Sequence, residues 1–222
     1  MDIRRAIEER HSVRRFLNEP IEGEALERLE AAIDGANRES GLHIQLVRDE
    51  PGAFTGLLAH YGRFSGVQNY LAMVGRKSRG LGQAVGYYGE RIVLEAQDRG
   101  LNTCWVGGTF NHRKARYRVA AGEKLVCLIA IGYGEDQGKP HRSKAMAKCC
   151  ELGSHQMPAW FAAGMEAALL APTALNQQNF MFMLQDGQTA SAFSTGGLFS
   201  DVDLGIVRYH FEAVSGHEVI AR

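Results

Sequence analysis

Two hydrophobic rhythms run along the chain. Over residues 24–36, Leu26, Leu29 and Ile33 recur with their neighbouring alanines at helical spacing, which predicts an amphipathic helix. Residues 1–9 read as a shorter helix with Ile3, Ala6 and Ile7 on one face. A long helix is predicted over 82–99, through Ala84, Tyr87, Tyr88, Ile92, Val93, Leu94 and Ala96, with Gly100 as the residue that ends it. Pro158 opens another over 159–170, and a last one spans 201–215 with Gly216 behind it. A small basic helix is expected over 112–121. Alternating or continuous apolar runs predict strands at 43–47, 69–74, 102–106, 124–132 and 180–184. The run KLVCLIAIG, 124–132, is nearly unbroken, as in a strand buried on both faces.

The order of these elements is partly self-similar. LEAAIDGANRESGLHIQLV (29–47) resembles MEAALLAPTALNQQNFMFML (165–184), and VGYYGERIVLEAQDRGL (85–101) resembles VDLGIVRYHFEAVSGHE (202–218). Gly89 and Gly100 are spaced as Gly205 and Gly216 are. Two ordinary amphipathic helices also look alike, but matched helices in matched order favour a duplication.

Composition narrows the function. The chain has 222 residues, with 25 Lys+Arg against 25 Asp+Glu and no formal net charge. Bulk attraction to nucleic acid or to an anionic membrane is not indicated, so an anion site must come from local placement of charge. No apolar run approaches the roughly 20 residues needed to span a bilayer. The N-terminus lacks the apolar stretch of a signal peptide. The four cysteines, Cys104, Cys127, Cys149 and Cys150, form no C-x-x-C pair, which reads as reduced thiols in a cytoplasmic protein. Cys149 and Cys150 have no His or Cys at zinc-ligand spacing nearby, so no metal site is expected.

Against that neutral background, ERHSVRRF (9–16) concentrates positive charge. Arg10, Ser12 and Arg14 alternate, so an extended segment puts all three on one side. Two guanidinium forks and a hydroxyl suit a phosphate; the ordinary alternative is a solvated turn paired with Glu8, Glu9 and Glu19. Three more stretches bear on the choice. CWVGGTF (104–110) offers Gly107 and Gly108, a backbone that lies flat against a ligand or merely turns. KPHRSKAM (139–146) offers Arg142 and Lys144, two apart again. APTALNQQNF (171–180) offers Thr173, Asn176 and Gln178, whose hydroxyl and amides suit a heterocycle or a polyol chain. Asn69, where a strand enters its sheet, either faces the same ligand or caps the strand.

Taken together, these stretches resemble the FMN-dependent nitroreductase superfamily, and within it the branch in which two family-like halves are fused in one chain. The matching residues are Arg10, Ser12, Arg14 and Phe16; Gly86 to Gly108 with its CWVGG; IGYGE at 131–135; Arg142 and Lys144; and APTALNQQNF, with Thr173 where the family has serine. The resemblance implies an α+β fold, a nitroreductase-like α/β sandwich. Its internal duplication would form a single-chain pseudo-dimer. Residues 1–150 would hold the FMN phosphate site. Residues 151–222, a shorter degenerate half, would supply the partner-subunit loop. Ordinary members carry that loop after the first helix, where this chain has DGANRESGLH instead. The second half has no run like ERHSVRRF, so one FMN per chain is expected.

The cofactor-binding set so implied is Arg10, His11, Ser12, Arg14, Asn69, Val106, Gly107, Gly108, Arg142, Lys144, Pro172, Thr173, Ala174 and Asn176, with no catalytic side chain and no metal. Trp105 is expected in the core. The implied reaction is hydride transfer from NADH or NADPH through flavin N5 to a small-molecule acceptor such as a nitro compound or quinone, by a ping-pong scheme. The alternative is an FMN carrier or sensor without turnover. A monomer or weak homo-oligomer is expected, with neither nucleic acid nor membrane as partner.

Overall fold

The computed structural model describes residues 2–221. Helices α1 (Ile3–Glu9) and α2 (Gly23–Ser40) precede strand β1 (Gln45–Val47), a short helix α3 (Leu57–Tyr61) and strand β2 (Asn69–Arg76). Helix α4 (Leu81–Asp98) and strands β3 (Asn102–Val106) and β4 (Glu123–Gly132) follow. Then come β5 (Cys150–Glu151), α5 (Ala159–Ala168), β6 (Phe180–Gln185), β7 (Thr189–Ser194), α6 (Ser200–Ser215) and β8 (Val219–Ala221). The strands form two four-stranded sheets, ordered β1-β2-β4-β3 and β5-β6-β7-β8. Every pairing in the first is antiparallel; in the second, β6–β7 is antiparallel and the two edge pairings are parallel. None of the described helices is long and apolar enough to cross a membrane.

The unbroken apolar strands have a simple cause. The first sheet is covered on both faces, so alternate residues of β2 and β4 enter different cores. Leu71, Met73, Ile129 and Ile131 face a core that runs through α4, α5 and α6 to Phe180, Phe182 and Ala192 of the second sheet. Tyr70, Ala72, Val74, Leu128 and Ala130 face a second core closed by Val13, Phe16, Phe54 and Phe110. Phe16 therefore ties the cationic run to the first sheet through an apolar contact.

Residues 112–121 do not form the expected basic helix. After a turn at Asn111–Ala115 the segment has no regular secondary structure. Ala115, Tyr117 and Val119 alternate with charged or small residues, a period of two that leaves a helix no apolar stripe. Its backbone is satisfied instead by side chains: Arg116 N–H donates to the Tyr70 hydroxyl at 2.7 Å, and Gln45 accepts from Arg118 N–H at 2.8 Å and donates to Arg118 C=O at 2.8 Å.

A helix–strand–strand–helix–strand order occurs twice, as α2-β1-β2-α4-β3 and α5-β6-β7-α6-β8, with α3 inserted in the first. Helices α4 and α6 cross at reciprocal glycines. A Cβ on Gly86 would collide with Val202 C=O, and one on Gly205 with Gln83 C=O and with Tyr87 N at 2.7 Å. Each glycine thus meets the residue three before the other. The partner of Gly205 in this crossing is Gly86. Gly89 instead makes room for the Trp105 ring. The matching of Gly100 with Gly216 reflects a shared cap, since both adopt φ above +70° after their helices.

Candidate functional site

The cationic run leaves α1 and becomes extended. Val13 N–H donates to Thr103 C=O and Phe16 N–H to Ser65 C=O, which lays the segment along the edge strand β3. Arg10, Ser12 and Arg14 all act on the Cys104 thiol, Ser12 through a hydrogen bond and the two arginines through their charge. Burial raises the thiol's pKa, while the charge of Arg14, a hydrogen bond with Ser12 and the charge of Arg10 pull it back. The depths differ. Arg14 is exposed, Ser12 half-buried, and Arg10 only 3% exposed.

Arg10 is no surface cation. Its Nε lies 3.4 Å from Glu90 Oε1, and Nη2 donates to Leu170 C=O at 3.4 Å. Glu90, fully buried in α4, also accepts from Trp105 Nε1 at 2.8 Å and meets His210 Nε2 at 2.9 Å. His210 Nδ1 in turn faces Ala167 C=O at 3.0 Å. Burial alone would raise the Glu90 carboxyl, but His210, Arg10 and Trp105 together hold it below the usual carboxylate range. Burial lowers the Arg10 guanidinium, and Glu90 opposes that. The network joins the N-terminal run, α4, β3, α5 and α6. Its buried Arg10 Nε has no hydrogen-bond partner.

The second basic segment meets the polar loop. Asn176 Nδ2 and Gln178 Nε2 both donate to Arg142 C=O at 3.0 Å. Lys144 N–H donates to Gln178 Oε1 at 2.8 Å, and Lys144 Nζ to Gln178 C=O at 2.9 Å. Between them, Ser143 Oγ donates to Leu169 C=O at 2.8 Å, one residue from the carbonyl that holds Arg10. A continuous set of contacts thus runs from Arg10 through Leu170 and Ser143 to Arg142 and Asn176. Among the described residues, Arg14, Arg142 and Lys144 make no ion pair, whereas neighbouring Arg15 pairs with Glu135 and Asp136.

The loop itself is strained. Leu175, Asn176 and Gln178 have φ of 52°, 54° and 46°, a region that costs a residue with a Cβ about 1–2 kcal/mol each. Thr173 Oγ1 holds it by accepting from Gln178 N–H at 3.0 Å. Asp203 of α6 accepts from Ala174 N–H at 2.9 Å and Gln177 Nε2 at 2.7 Å. Pro172 and Ala174 are half-buried at its start, and Leu175 is 89% exposed at its tip.

Burial pushes the Asp203 carboxyl up to about 6, against the pull of Gln177 and Ala174. A raised carboxyl favours the folded state when protonated. Its contribution is full below the unfolded value near 3.8 and is lost as pH rises through about 6. The stability of wild type relative to Asp203→Asn is therefore expected to fall by about 3 kcal/mol between acid and neutral pH, read by urea unfolding across the range.

The remaining residues divide. Gly107 and Gly108 follow β3 and buried Val106, but Gly107 is covered, since a Cβ there would collide with the Phe199 ring. Gly108 is exposed, with nothing near its Cβ position. Asn69 is buried, and its Oδ1 accepts from Asp49 N–H at 3.3 Å, which is the strand-end role. His11 Nδ1 turns to Arg10 C=O at 2.9 Å, and its Cβ lies beside Gly138. All four cysteines are free and buried, and the described residues hold no group of metal ligands. Sequence reasoning missed Glu90, His210 and Phe199. The first two carried a legible signal, a polar residue inside the apolar stripe of a helix.

Known structures share this arrangement of sheets and helices. A crystal structure described as a "putative nitroreductase" from Thermotoga maritima has a TM-score of 0.68 at 23% identity, covering 98% of this chain and 87% of that one. Another so described, from Desulfovibrio desulfuricans in complex with FMN, has a TM-score of 0.52 at 19% identity over 67% of this chain and 94% of that one. A nitroreductase family protein from Streptococcus pneumoniae has a TM-score of 0.53 at 14% identity, over 66% of this chain and 98% of that one. These likenesses establish a mixed α+β, nitroreductase-like fold. No curated protein sequence matches the chain. The profile described as "Putative TM nitroreductase" matches residues 2–215, nearly the whole of the sequence that builds both sheets and the helices between them, and the chain belongs to that nitroreductase family.

Proposed function

We propose that this protein is an FMN-dependent NAD(P)H oxidoreductase. In this reading its halves, 1–150 and 151–222, arose by duplication and clasp one another so that one chain does the work of a dimer. The reciprocal Gly86–Gly205 crossing and the repeated element order support the duplication. The missing second cationic run supports one FMN per chain, and a clasp already made within the chain supports a monomer or a weak homo-oligomer. Four free thiols suit the cytoplasm.

The residues present fit the phosphate of FMN. Glu90 already neutralises Arg10, but among the described residues Arg14, Arg142 and Lys144 have no carboxylate partner, and an anion supplies what they lack. Arg10, Ser12 and Arg14 would hold the phosphate from one side, and Arg142 and Lys144 from the other. Asn176, Thr173 and the exposed backbone of Gly108 would face the remainder. When bound, FMN would supply two-electron hydride chemistry between NADH or NADPH and a nitro compound, quinone or similar acceptor, in ping-pong order. The protein's own part is to neutralise the phosphate, fix the loop through Thr173, Gln178 and Asp203, and keep water from one face.

The single observation that carries this reading is the meeting of the Arg142–Lys144 segment with the strained loop of the other half. Its test is the visible spectrum of purified protein, followed by anaerobic NADH and NADPH. A yellow protein that bleaches with either nicotinamide and recovers with a quinone is expected; a colourless protein that takes up no FMN sinks the proposal. Arg14→Ala is expected to weaken FMN binding ten- to a hundredfold, from loss of a charge-assisted contact worth about 1.5–3 kcal/mol. Fluorescence titration with FMN measures it. Arg14 is a cleaner probe than Arg10, whose removal also strands Glu90.

One observation favours a carrier or sensor without turnover. The Phe199 ring lies over Gly107, closing part of the wall that a reductant would need. Lasting colour, with no bleaching by either nicotinamide, would select that reading.

A further inference from the structure

Strand β7 ends at Ser194 and α6 begins at Ser200, and residues 195–199 cross the surface between them. Thr195, Gly196, Gly197 and Leu198 are exposed. Gly196 and Gly197 have φ of 100° and 115°, values that glycine reaches freely and a residue with a Cβ does not. Two such residues in succession make a pivot. Beyond it, Phe199 is itself held at φ of 55°. Its ring fills the side of Gly107 from which a side chain would project.

The two sides of the pivot are fastened differently. Before it, Thr195 N–H donates to Asn179 C=O at 3.1 Å, and Asn179 Nδ2 donates to Gly196 C=O at 3.1 Å. After it, Gln177 Nε2 donates to Leu198 C=O at 2.7 Å, and Gln177 Oε1 lies against Gly197. No N–H of residues 197–199 finds a partner among the described residues. The other hydrogen of Gln177 Nε2 goes to Asp203 Oδ2 at 2.7 Å. One amide thus joins the segment to the carboxylate that also holds Ala174 N–H.

A glycine pivot, an aromatic cover on bare backbone and a single side-chain fastening let this segment swing while β7 and α6 stay in place. We infer that residues 195–199 form a hinged lid on the Gly107 wall, turning at Gly196–Gly197, covering with the Phe199 ring and latched by Gln177. The latch sits between Asn176 and Gln178 in the strained loop, so a ligand that shifts the loop also pulls on the lid. What the lid admits rests on the proposed reductase function: the planar ring of a reductant or acceptor reaches this side of Gly107 only when Phe199 swings away.

Cleavage of the native full chain by chymotrypsin reads the lid without any cofactor. Opening exposes the bonds after Leu198 and Phe199, and mass spectrometry of the fragments gives the rate at each site. Tyr61, 83% exposed, is the internal reference. Gln177→Ala is expected to speed cleavage after Leu198 and Phe199 about three- to tenfold, the loss of one net hydrogen bond, and to leave cleavage after Tyr61 unchanged. No acceleration at 198–199, or an equal acceleration at Tyr61, overturns the lid.

The gate is read in the FMN-loaded chain, as the rate of anaerobic bleaching at limiting NADH or NADPH. Phe199→Ala removes the cover and Gln177→Ala releases it. Each is expected to raise that rate about threefold or more, because a larger share of molecules is open. A fixed wall would leave both variants unchanged or slower, and either result overturns the gate. A chain that shows the cleavage pattern but bleaches with neither nicotinamide keeps the lid and loses the reductase reading.

Discussion

Replacing Glu90 with glutamine is expected to cost about 3–5 kcal/mol of stability, the range for breaking a buried ion pair by removing one partner. Glu90 and His210 are fully buried, and Arg10 is 3% exposed. Glutamine keeps the shape of the side chain and can still serve Trp105. It cannot neutralise Arg10, whose guanidinium then lies in a low-dielectric interior with only Leu170 C=O at 3.4 Å. Urea unfolding of the two proteins at neutral pH measures the loss. For a domain of this size each kcal/mol moves Tm by roughly 2–4 °C, so the midpoint falls well beyond error.

The pH dependence identifies the cause. The Glu90 carboxyl is depressed in the folded state, so its contribution is present above the ordinary glutamate value near 4.5 and is lost as pH falls through the lower folded one. The gap between wild type and Glu90→Gln should therefore narrow in acid. Adding Arg10→Met to Glu90→Gln should recover part of the loss, because both partners are then gone and no charge is stranded. A double variant as unstable as the sum of the singles would mean that packing, not charge, sets the cost.

The second large effect lies where α4 crosses α6. Gly205→Ala is expected to cost about 3 kcal/mol, at the upper end of the range for overpacking, despite the helix-propensity gain of ~1 kcal/mol that alanine brings. The new methyl would meet main-chain atoms, Gln83 C=O and Tyr87 N, which cannot rotate aside as a side chain can. Gly86→Ala should cost a similar amount against Val202 C=O. The reciprocal geometry adds a sharper expectation. Once one methyl has forced the helices apart, the second enters space already opened, so the double variant should lose less than the sum of the singles. Additive losses, measured by thermal or urea unfolding, would mean that the two contacts are independent and would weaken the case for a two-fold crossing.

Much of this was legible in the sequence, for identifiable reasons. The long helices and inner strands announce themselves because burial imposes a period on the residues that face the core. Two cores flanking the first sheet remove even the period-two alternation, and KLVCLIAIG reads as a buried strand on that account. The alternation of Arg10, Ser12 and Arg14 was legible too, but not their depths, which run from buried Arg10 to exposed Arg14. Strands β5, β7 and β8 escaped. Two of them are short edges, and TASAFS at 189–194 is too rich in small residues to carry a hydrophobic signal. The basic segment 112–121 was misread because basic charge drew attention from the alternation of Ala115, Tyr117 and Val119.

The sequence by itself determined the helices, the inner strands, the concentration of cations at 10–14 and 142–144, and the polar loop at 171–180. Each of these is a local property, carried by periodicity, turn chemistry or charge within a dozen residues. Only the tertiary structure decided that Arg10 is buried against Glu90 while Arg14 stays in solvent, that Gly86 meets Gly205, and that Phe199 covers Gly107. Those outcomes depend on which residues from distant segments share a space. Burial sets the charge balance of such a space, and the van der Waals limit sets how closely two backbones approach; neither leaves a periodic trace along the chain.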